Sequence, residues 1–341
     1  MISKQTLYTL AQRLVAPMFT PIYGGMASIL MFHRVLEPKP GIHPGWLRAI
    51  EIEPDLIARL VERLRRTGHE IVSLDELHET LVKRRKPRAK LVTMTFDDGY
   101  VDAYTTIHPL LTSYDVPFTV YLTTDFPDRR IAPWWYLLDE RLSRSKTLEV
   151  RIHGRDISCP VATPRQVDAA FARVGALLDA GTPADRWALA AEVFGADEVA
   201  RAMEALFLSW DQVSALAAHP LVTIGAHTVS HAPLKLLSLE EARWEMVESR
   251  SRIEARIGKP VRHFAYPYGF PSLVGAREYA LARECGFATA VTTRTANLFP
   301  ASASSLECLP RVRGTSLAQI EVSMAGLPAA LRYPGRRVVT V

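Results

Sequence analysis

Two adjacent carboxylates are the first residues of this sequence with the types and position for chemistry. Asp97 and Asp98 directly follow the apolar run 91–96, which predicts a buried strand, and Gly99 comes next. In isolation, the three residues are equally well explained as a turn in which glycine supplies a positive φ. The alternative is a catalytic pair, because α/β folds keep their chemistry at the carboxyl ends of strands.

Two histidines much later in the chain favour the catalytic interpretation. His227 and His231 follow the apolar run 221–226, and their spacing of four predicts that both imidazoles share one face of a helical turn. One carboxylate and two such histidines can bind a divalent metal ion. Zinc is the first choice, because it accepts mixed nitrogen and oxygen ligands and leaves a position for water.

Three segments resemble the first three motifs of the polysaccharide deacetylase family, the NodB-homology carbohydrate esterases of family 4. They are residues 95–99 (TFDDG), 227–231 (HTVSH) and 264–269 (FAYPYG), in the order and strand context of the family. The resemblance covers roughly residues 28–128 and 208–315. It implies a distorted (β/α) barrel and metal-dependent removal of acetyl groups from an N-acetylated sugar.

The resemblance also implies a role for each residue of these motifs. Asp97 is the general base, and Asp98 binds the metal together with His227 and His231. The nucleophile is a metal-bound water whose pKa is lowered toward ~7. The backbone N–H of Tyr268 donates to the oxyanion. These roles supply an activated nucleophile and a stabilised oxyanion, both of which amide hydrolysis needs.

The residue that orients the base departs from the common family pattern. In that pattern an arginine stands two residues before the proline of the third motif, but here the position is Ala265. Arg311 or Arg313, at the end of the last predicted strand, can take its place. Both arginines are equally well explained as surface charges.

The general acid is a second departure. The common form of the last motif is Leu-x-His, but residues 306–311 contain no histidine. His33 follows an N-terminal apolar strand and resembles a relocated general acid of family branches that act on poly-N-acetylglucosamine. His263 is a weaker candidate because it begins a strand. Without either histidine, Asp97 or the metal-bound water must return the proton.

The elements that must position these residues alternate between short strands and helices. Helices are predicted at residues 52–67, 74–82, 103–114 and 238–257, and strands at 27–35, 71–72, 117–123, 263–266, 286–292 and 308–313. This alternation is typical of βα units with parallel strands. It agrees with the α/β class and with the distorted (β/α) barrel of the NodB-homology type.

The alternation is interrupted at about residues 129–207. This segment has a predicted hairpin at 149–158 and is otherwise alanine-rich and helical. We therefore predict a helical insertion within a catalytic domain that comprises residues 27–341. Exposed aromatic side chains at its start, Trp134, Trp135 and Tyr136, would suit the apolar face of a pyranose. Packing inside the insertion explains them equally well.

Composition and charge narrow the classes of partner. The chain has 41 basic and 36 acidic residues, and its small net charge of +5 gives no reason to expect nucleic acid. The basic cluster at 83–88 has no interleaved aromatic residues, which single-strand binders use. The three cysteines, Cys159, Cys285 and Cys308, form neither a metal motif nor a disulfide framework, which fits a reducing compartment.

The N-terminal segment, residues 1–26, is predicted to be helical. Apolar residues recur there at helical spacing: Leu7, Leu10, Leu14 and Met18. The resulting amphipathic helix packs on the barrel or makes at most a peripheral membrane contact through residues 1–20. Polar residues interrupt it before signal-peptide length is reached. We therefore expect a cytoplasmic protein, either free or peripheral to the inner membrane.

These patterns predict a metal-dependent hydrolase that removes N-acetyl groups from an oligo- or polysaccharide containing N-acetylhexosamine. One alternative is a deformylase or deacylase of a lipid-linked amino sugar. Another is a non-catalytic glycan-binding relative, although a binding protein has no evident need for Asp97 beside the metal ligands. The sequence leaves the glycan and the oligomeric state open.

Overall fold

The computed structural model describes residues 14–335. Its strands are β1 Ala27–Phe32, β2 Arg34–Val35, β3 Glu51–Ile52, β4 Glu70–Ile71, β5 Leu91–Phe96, β6 Phe118–Leu122, β7 Thr147–Ile152, β8 Arg155–Pro160, β9 Val222–Ala226, β10 His263–Ala265, β11 Thr289–Thr295 and β12 Leu309–Arg311. Its α-helices are α1 Thr20–Tyr23, α2 Gly45–Arg48, α3 Pro54–Arg66, α4 Leu74–Val82, α5 His108–Ser113, α6 Trp134–Arg144, α7 Pro164–Leu178, α8 Pro183–Phe194, α9 Ala196–Leu206, α10 Trp210–Ala218, α11 Leu239–Ile257, α12 Ala276–Glu284, α13 Leu317–Met324 and α14 Leu327–Arg332. Short 3₁₀ segments lie at Ala16–Phe19, Leu234–Leu236, Pro300–Ser304 and Leu306–Cys308.

Parallel strands form a nearly closed barrel. The strand order is β1-β5-β6-β9-β10-β11-β12, and β4 pairs with β5 beside this path. A parallel bridge between Leu30 in β1 and Val312, directly after β12, joins the two ends of the sheet. Strands β2 and β3 form a small parallel sheet, and β7 and β8 form an antiparallel hairpin. The predicted distorted (β/α) barrel is therefore confirmed.

Apolar strands and amphipathic helices explain why the barrel forms. Strands β5 and β6 are buried at every residue, as expected for parallel strands that helices cover. Helix α3 buries Leu56, Leu60 and Leu64, while its last turn carries arginines. Helix α11 begins with a capping box at Ser238 and ends at Gly258, whose φ of 65° is left-handed.

One predicted helix has a different backbone geometry in its first turn. Residues 103–114 were expected to form a single α-helix, but they begin as a π-helix, Ala103–Ile107, and continue as α5. Pro109 explains the difference, because it has no N–H to donate to the carbonyl of Thr105.

The segment 129–207 contains α6 to α9 and the hairpin β7-β8. Its apolar residues form a hydrophobic core that also includes Tyr100 and Phe126, from the loops after β5 and β6. The rings of Phe126 and Phe207 stack with their centroids 3.9 Å apart. The insertion is thus packed on two loops at the carboxyl end of the barrel.

The aromatic residues at the start of the insertion differ in exposure. Trp134 and Trp135 are partly exposed, whereas Tyr136 is buried. The Tyr136 hydroxyl donates to Glu51 at 2.9 Å, so this ring packs between the insertion and β3. Of the two interpretations left open for these residues, packing therefore applies to Tyr136, and only the two tryptophans remain available to a ligand.

The N-terminal segment is helical from Ala16 to Tyr23 in the part that the structure describes. Leu7 and Leu10 lie outside the described residues. The side chains of Leu14 and Met18 are 82% and 76% exposed, whereas Ala16 packs against Val322 and Leu327. Among residues 14–335, no helix has both the length and the apolar composition that crossing a membrane requires.

Candidate active site

The residues singled out in the sequence meet at one end of the barrel. Each lies at the carboxyl end of a strand or in the loop that follows it: His33 after β1, Asp97 and Asp98 after β5, His227 and His231 after β9, Tyr268 after β10 and Arg311 in β12. Because these strands are parallel, their carboxyl ends form one rim. The pairing of β1 with β5 fixes the position of Asp97 on this rim, since the N–H of Asp97 donates to the carbonyl of Phe32 at 2.9 Å.

Asp98, His227 and His231 form a set of potential metal ligands. Asp98 Oδ1 lies 3.3 Å from Nε2 of each histidine, and the three ligand atoms are within 4.8 Å of one another. Within residues 14–335, this buried oxygen accepts no hydrogen bond. A buried carboxylate oxygen without a donor costs free energy unless a cation compensates it. The three residues therefore fit a divalent ion, and their mixed donors suit zinc.

Neighbouring groups prepare these ligands. Nδ1 of His227 lies 2.7 Å from the carbonyl oxygen of Ala265. Donation to this carbonyl leaves Nε2 of His227 free to bind a metal. Ala265, at the position of the missing arginine, thus acts through its backbone.

The prediction that the two histidines share a face of a helical turn was wrong. Residues 227–233 form an irregular loop. Within it Thr228 and His231 have positive φ angles of 66° and 58°. A backbone with two left-handed residues cannot continue a right-handed helix, so the loop itself brings His231 to Asp98.

Glu245, in α11, holds this loop, and sequence patterns did not indicate it. Its buried carboxylate accepts hydrogen bonds from the N–H of Val229 at 2.7 Å and of Ser230 at 3.0 Å. The Ser230 hydroxyl donates to the same carboxylate. These bonds replace those of a helix and fix the loop that carries His231. Glu245 belongs to an acid- and arginine-rich helix, where one inward-facing acid has no sequence signal of its own.

Arg311 occupies the place predicted for the residue that orients the base. Its Nη1 and Nη2 donate to Oδ1 and Oδ2 of Asp97 at 2.6 and 2.7 Å. Its Nε donates to the carbonyl of Thr292 at 2.9 Å, and Nη1 lies 3.3 Å from the Thr95 hydroxyl. Of the two arginines considered, Arg311 is buried at this contact and Arg313 is exposed.

This pair determines the charge of Asp97. Burial alone would raise the pKa of the Asp97 carboxyl, but Arg311 outweighs burial and lowers the pKa below its usual value. Asp97 is therefore an ionised carboxylate with a fixed orientation. That is the form a general base requires.

His33 faces the same carboxylate. Its Nε2 lies 4.0 Å from Oδ2 of Asp97, and its side chain is 21% exposed. Burial lowers the pKa of His33, and the neighbouring Asp98 and Asp97 offset this only in part. His33 thus lies at the rim beside the proposed base, where a proton can be delivered to a leaving group.

His263 lies at the opposite end of the barrel from the site. It is the first residue of β10, fully buried, and its ring nitrogens contact the Thr289 hydroxyl at 2.8 Å and Asp75 at 3.2 Å. These contacts give His263 a structural environment, and the structure does not bring it to Asp97 or Asp98.

Tyr268 lies against the metal-ligand set. Its ring packs edge-on to that of His231 with centroids 4.9 Å apart, and its carbonyl accepts from the Thr293 hydroxyl at 2.7 Å. Its N–H makes no hydrogen bond within the described residues, so this donor is available. Tyr268 is 40% exposed, but partial desolvation of its hydroxyl, with Asp179 adding to it, raises the pKa of this group to about 12. Tyr268 therefore keeps its proton at neutral pH.

Backbone strain is concentrated in this region. Four residues other than glycine have positive φ angles here: Asp98 (76°), Thr228 (66°), His231 (58°) and Tyr268 (61°). Such conformations cost about 1–3 kcal/mol each and persist where the surrounding structure enforces them, most often at functional sites. Here they turn two ligands and the Tyr268 peptide toward one point.

Comparison with known proteins agrees with this geometry. The sequence profile of the polysaccharide deacetylase family matches residues 84–290, more than half of the chain. No curated protein sequence matches the chain.

Several solved structures share the fold. The deacetylase PplD of Streptococcus pyogenes is 18% identical, with a TM-score of 0.56 over 85% of this chain and 93% of that one. IcaB from Ammonifex degensii is 19% identical, with a TM-score of 0.56 over 89% of this chain and 98% of that one. The BpsB deacetylase domain from Bordetella bronchiseptica is 18% identical, with a TM-score of 0.52 over 85% and 96%.

The profile match includes the strands that carry Asp97, Asp98, His227, His231 and Tyr268, whereas His33 and Arg311 lie outside it. The barrel and the family match lead to the same conclusion. The chain belongs to the polysaccharide deacetylase family, which is a family of hydrolases.

Proposed function

We propose that this protein removes acetyl groups from N-acetylhexosamine residues of a glycan, in a reaction that depends on a divalent metal ion, most simply zinc. The observation that carries the proposal is the buried Asp98 oxygen, which faces two imidazole nitrogens and accepts no hydrogen bond within residues 14–335. When bound there, a divalent ion polarises the acyl carbonyl and lowers the pKa of water toward ~7.

Asp97 is the general base in this proposal. It removes a proton from the attacking water, and its two hydrogen bonds to Arg311 keep the carboxylate ionised and oriented. The separation of tasks between adjacent acids follows from their contacts. Asp97 is neutralised by a guanidinium, whereas Asp98 faces only imidazoles and is free to bind a cation.

The chain also supplies groups for the later steps of the reaction. The free N–H of Tyr268 donates to the oxyanion that forms when water adds to the acyl carbon. His33 delivers a proton to the amine nitrogen as the C–N bond breaks, which turns a poor leaving group into a neutral amine. Its position 4.0 Å from Asp97 places both proton-transfer groups at the same rim.

Two similar structures, the deacetylase PplD in complex with acetate and the BpsB deacetylase domain, support acetyl as the group that is removed. They align with this chain over 93% and 96% of their own lengths. The alternative substrate, a formylated or otherwise acylated lipid-linked amino sugar, needs the same hydrolytic groups and differs in the acyl group and the carrier.

Product analysis tests the proposed function. Purified protein loaded with zinc is incubated with oligomers and polymer of N-acetylglucosamine and, separately, with an N-formylated amino sugar. We expect acetate and an equal amount of free amine from the N-acetylated glycans. Formate release without acetate release would establish the deformylase alternative. Glycan binding without any product would establish the non-catalytic one.

A further inference from the structure

The insertion reaches the active site and forms part of its wall. A cleft beside the metal-ligand set is lined by His231 and Tyr268 from the barrel loops and by Trp134, Asp179 and Arg186 from the insertion. The barrel alone therefore does not complete the surface that a glycan meets.

The loop between α7 and α8, together with the first turn of α8, carries the charged part of this wall. Asp179 follows the last residue of α7, and Arg186 lies in the first turn of α8. Thr182 fixes the start of α8, because its hydroxyl accepts from the N–H of Asp185 while the Asp185 carboxylate accepts from the N–H of Thr182. This capping box sets the geometry between Asp179 and Arg186.

Asp179 and Arg186 leave a free donor beside a free acceptor. Nη1 of Arg186 lies 3.2 Å from Oδ1 of Asp179, and Nε donates to the carbonyl of Gly181 at 3.2 Å. Within the described residues, Nη2 of Arg186 and Oδ2 of Asp179 have no hydrogen-bond partner. A donor and an acceptor side by side match two neighbouring hydroxyls of a pyranose. An anionic substituent fits less well, because Asp179 would repel it.

The apolar side of the cleft is held rigidly. Trp134 packs on α7 so closely that a Cβ added to Gly175 would lie 2.9 Å from the indole ring. Trp135 crosses Trp134 at a near right angle, with ring centroids 5.8 Å apart. Fixed aromatic surfaces beside a hydrogen-bonding pair are the components of a sugar-binding subsite.

We infer that Asp179 and Arg186, with Trp134 and Trp135 as the apolar wall, bind the sugar ring adjacent to the acetylated residue that is cleaved. This inference rests on the proposed function, because it assigns a subsite to that glycan. The pair positions substrate and takes no part in proton transfer. It therefore affects glycan binding and KM and leaves metal binding intact.

The hairpin of the insertion offers a matched control. Arg151 and Asp156 form an ion pair between β7 and β8, with Nε of the arginine 2.7 Å from Oδ1 of the aspartate. Neither residue lines the cleft. Arg151→Ala and Asp156→Ala remove the same chemical groups from the same insertion at a different place.

The test is calorimetric titration of zinc-loaded protein with the N-acetylglucosamine monomer and pentamer, in an Asp97→Asn background that prevents turnover. Arg186→Ala and Asp179→Ala are each expected to raise the Kd of the pentamer about tenfold, which corresponds to one hydrogen bond to a charged group. The Kd of the monomer should stay unchanged, as should zinc content and the Kd values of the two control variants.

Parallel kinetics distinguish this inference from the proposed function. KM for the pentamer should rise in Arg186→Ala while kcat stays near that of the unmodified protein. An unchanged Kd and KM in both cleft variants, with normal acetate release, would overturn the subsite and leave the proposed function standing. Pentamer binding that depends on Arg186, without any acetate release, would overturn the proposed function and support the subsite. Failure of the pentamer to bind at all would overturn the subsite.

Discussion

Arg311 holds both oxygens of Asp97 through two parallel hydrogen bonds of 2.6 and 2.7 Å, although 214 residues separate the two in the sequence. The contact spans the closure of the barrel, since Arg311 ends the last strand and Asp97 follows β5, with β1 between them. Closing the sheet is thus what assembles the proposed base with its partner.

Replacing Arg311 with lysine should impair turnover without removing the metal. A lysine keeps the positive charge but cannot donate to both oxygens of Asp97 in one plane. The loss of one charge-assisted hydrogen bond, about 1.5–3 kcal/mol, corresponds to a fall in kcat of about 10–100-fold. Arg313→Lys is the control, because Arg313 is exposed. Equal activities of the two variants would contradict the role of Arg311.

Asp97→Asn should retain the metal and lose activity. The substitution removes the base but none of the three metal ligands, so metal content should equal that of the unmodified protein. We expect kcat to fall on the order of 10²–10⁴-fold, the usual contribution of a general base. Steady-state acetate release and elemental analysis of the same preparation measure both quantities. An active Asp97→Asn variant would rule out the assignment.

The location of the site could be predicted from the sequence wherever the end of a strand can be recognised. Asp97 and Asp98 follow a continuous apolar run, and parallel strands bring such ends together, so the rim could be expected before the structure. The choice between Arg311 and Arg313 could not be made, because residues two apart share one face of a strand. Only the structure shows that β12 ends at Arg311 and leaves Arg313 beyond it.

Two other features, the loop at residues 227–233 and the burial of Tyr136, could not be predicted from the sequence around them. Glu245, which lies in α11, determines the backbone of residues 227–233. Two histidines four residues apart look the same in the sequence whether they lie in a loop or in a helix. Similarly, the burial of Tyr136 depends on its hydrogen bond to Glu51, which is distant in the sequence. Tertiary contacts decided both cases.

The assignment of His33 as the general acid can be tested by comparing its alanine variant with that of His263. His33→Ala should lower kcat on the order of 10²–10⁴-fold with little change in the free energy of unfolding, because His33 lies at the rim. His263→Ala should lower the free energy of unfolding with little change in kcat, since it leaves Thr289 and Asp75 without their buried partner. Acetate release and denaturant unfolding are measured on both proteins. Full activity of His33→Ala would exclude it as the acid.

Glu245 should influence metal affinity without contacting the metal. In Glu245→Gln the amide can accept from fewer of the three donors of residues 229–230, so the loop that carries His231 is held less firmly. Loss of such supporting groups typically weakens metal binding about 10–100-fold. Competition with a zinc chelator measures the affinity. Glu248→Gln, on the same helix but paired with Arg252, is the control.

The central claim is that Asp98, His227 and His231 hold a metal ion that hydrolysis requires, and one measurement tests it most directly. Metal content and acetate release from poly-N-acetylglucosamine are determined for the purified protein, after chelation, and after zinc is restored. We predict about one zinc per chain, loss of both metal and acetate release on chelation, and recovery of both on restoration, with His227→Ala failing to recover either. Acetate release that persists in metal-free protein, or a full zinc content in His227→Ala, would contradict the claim.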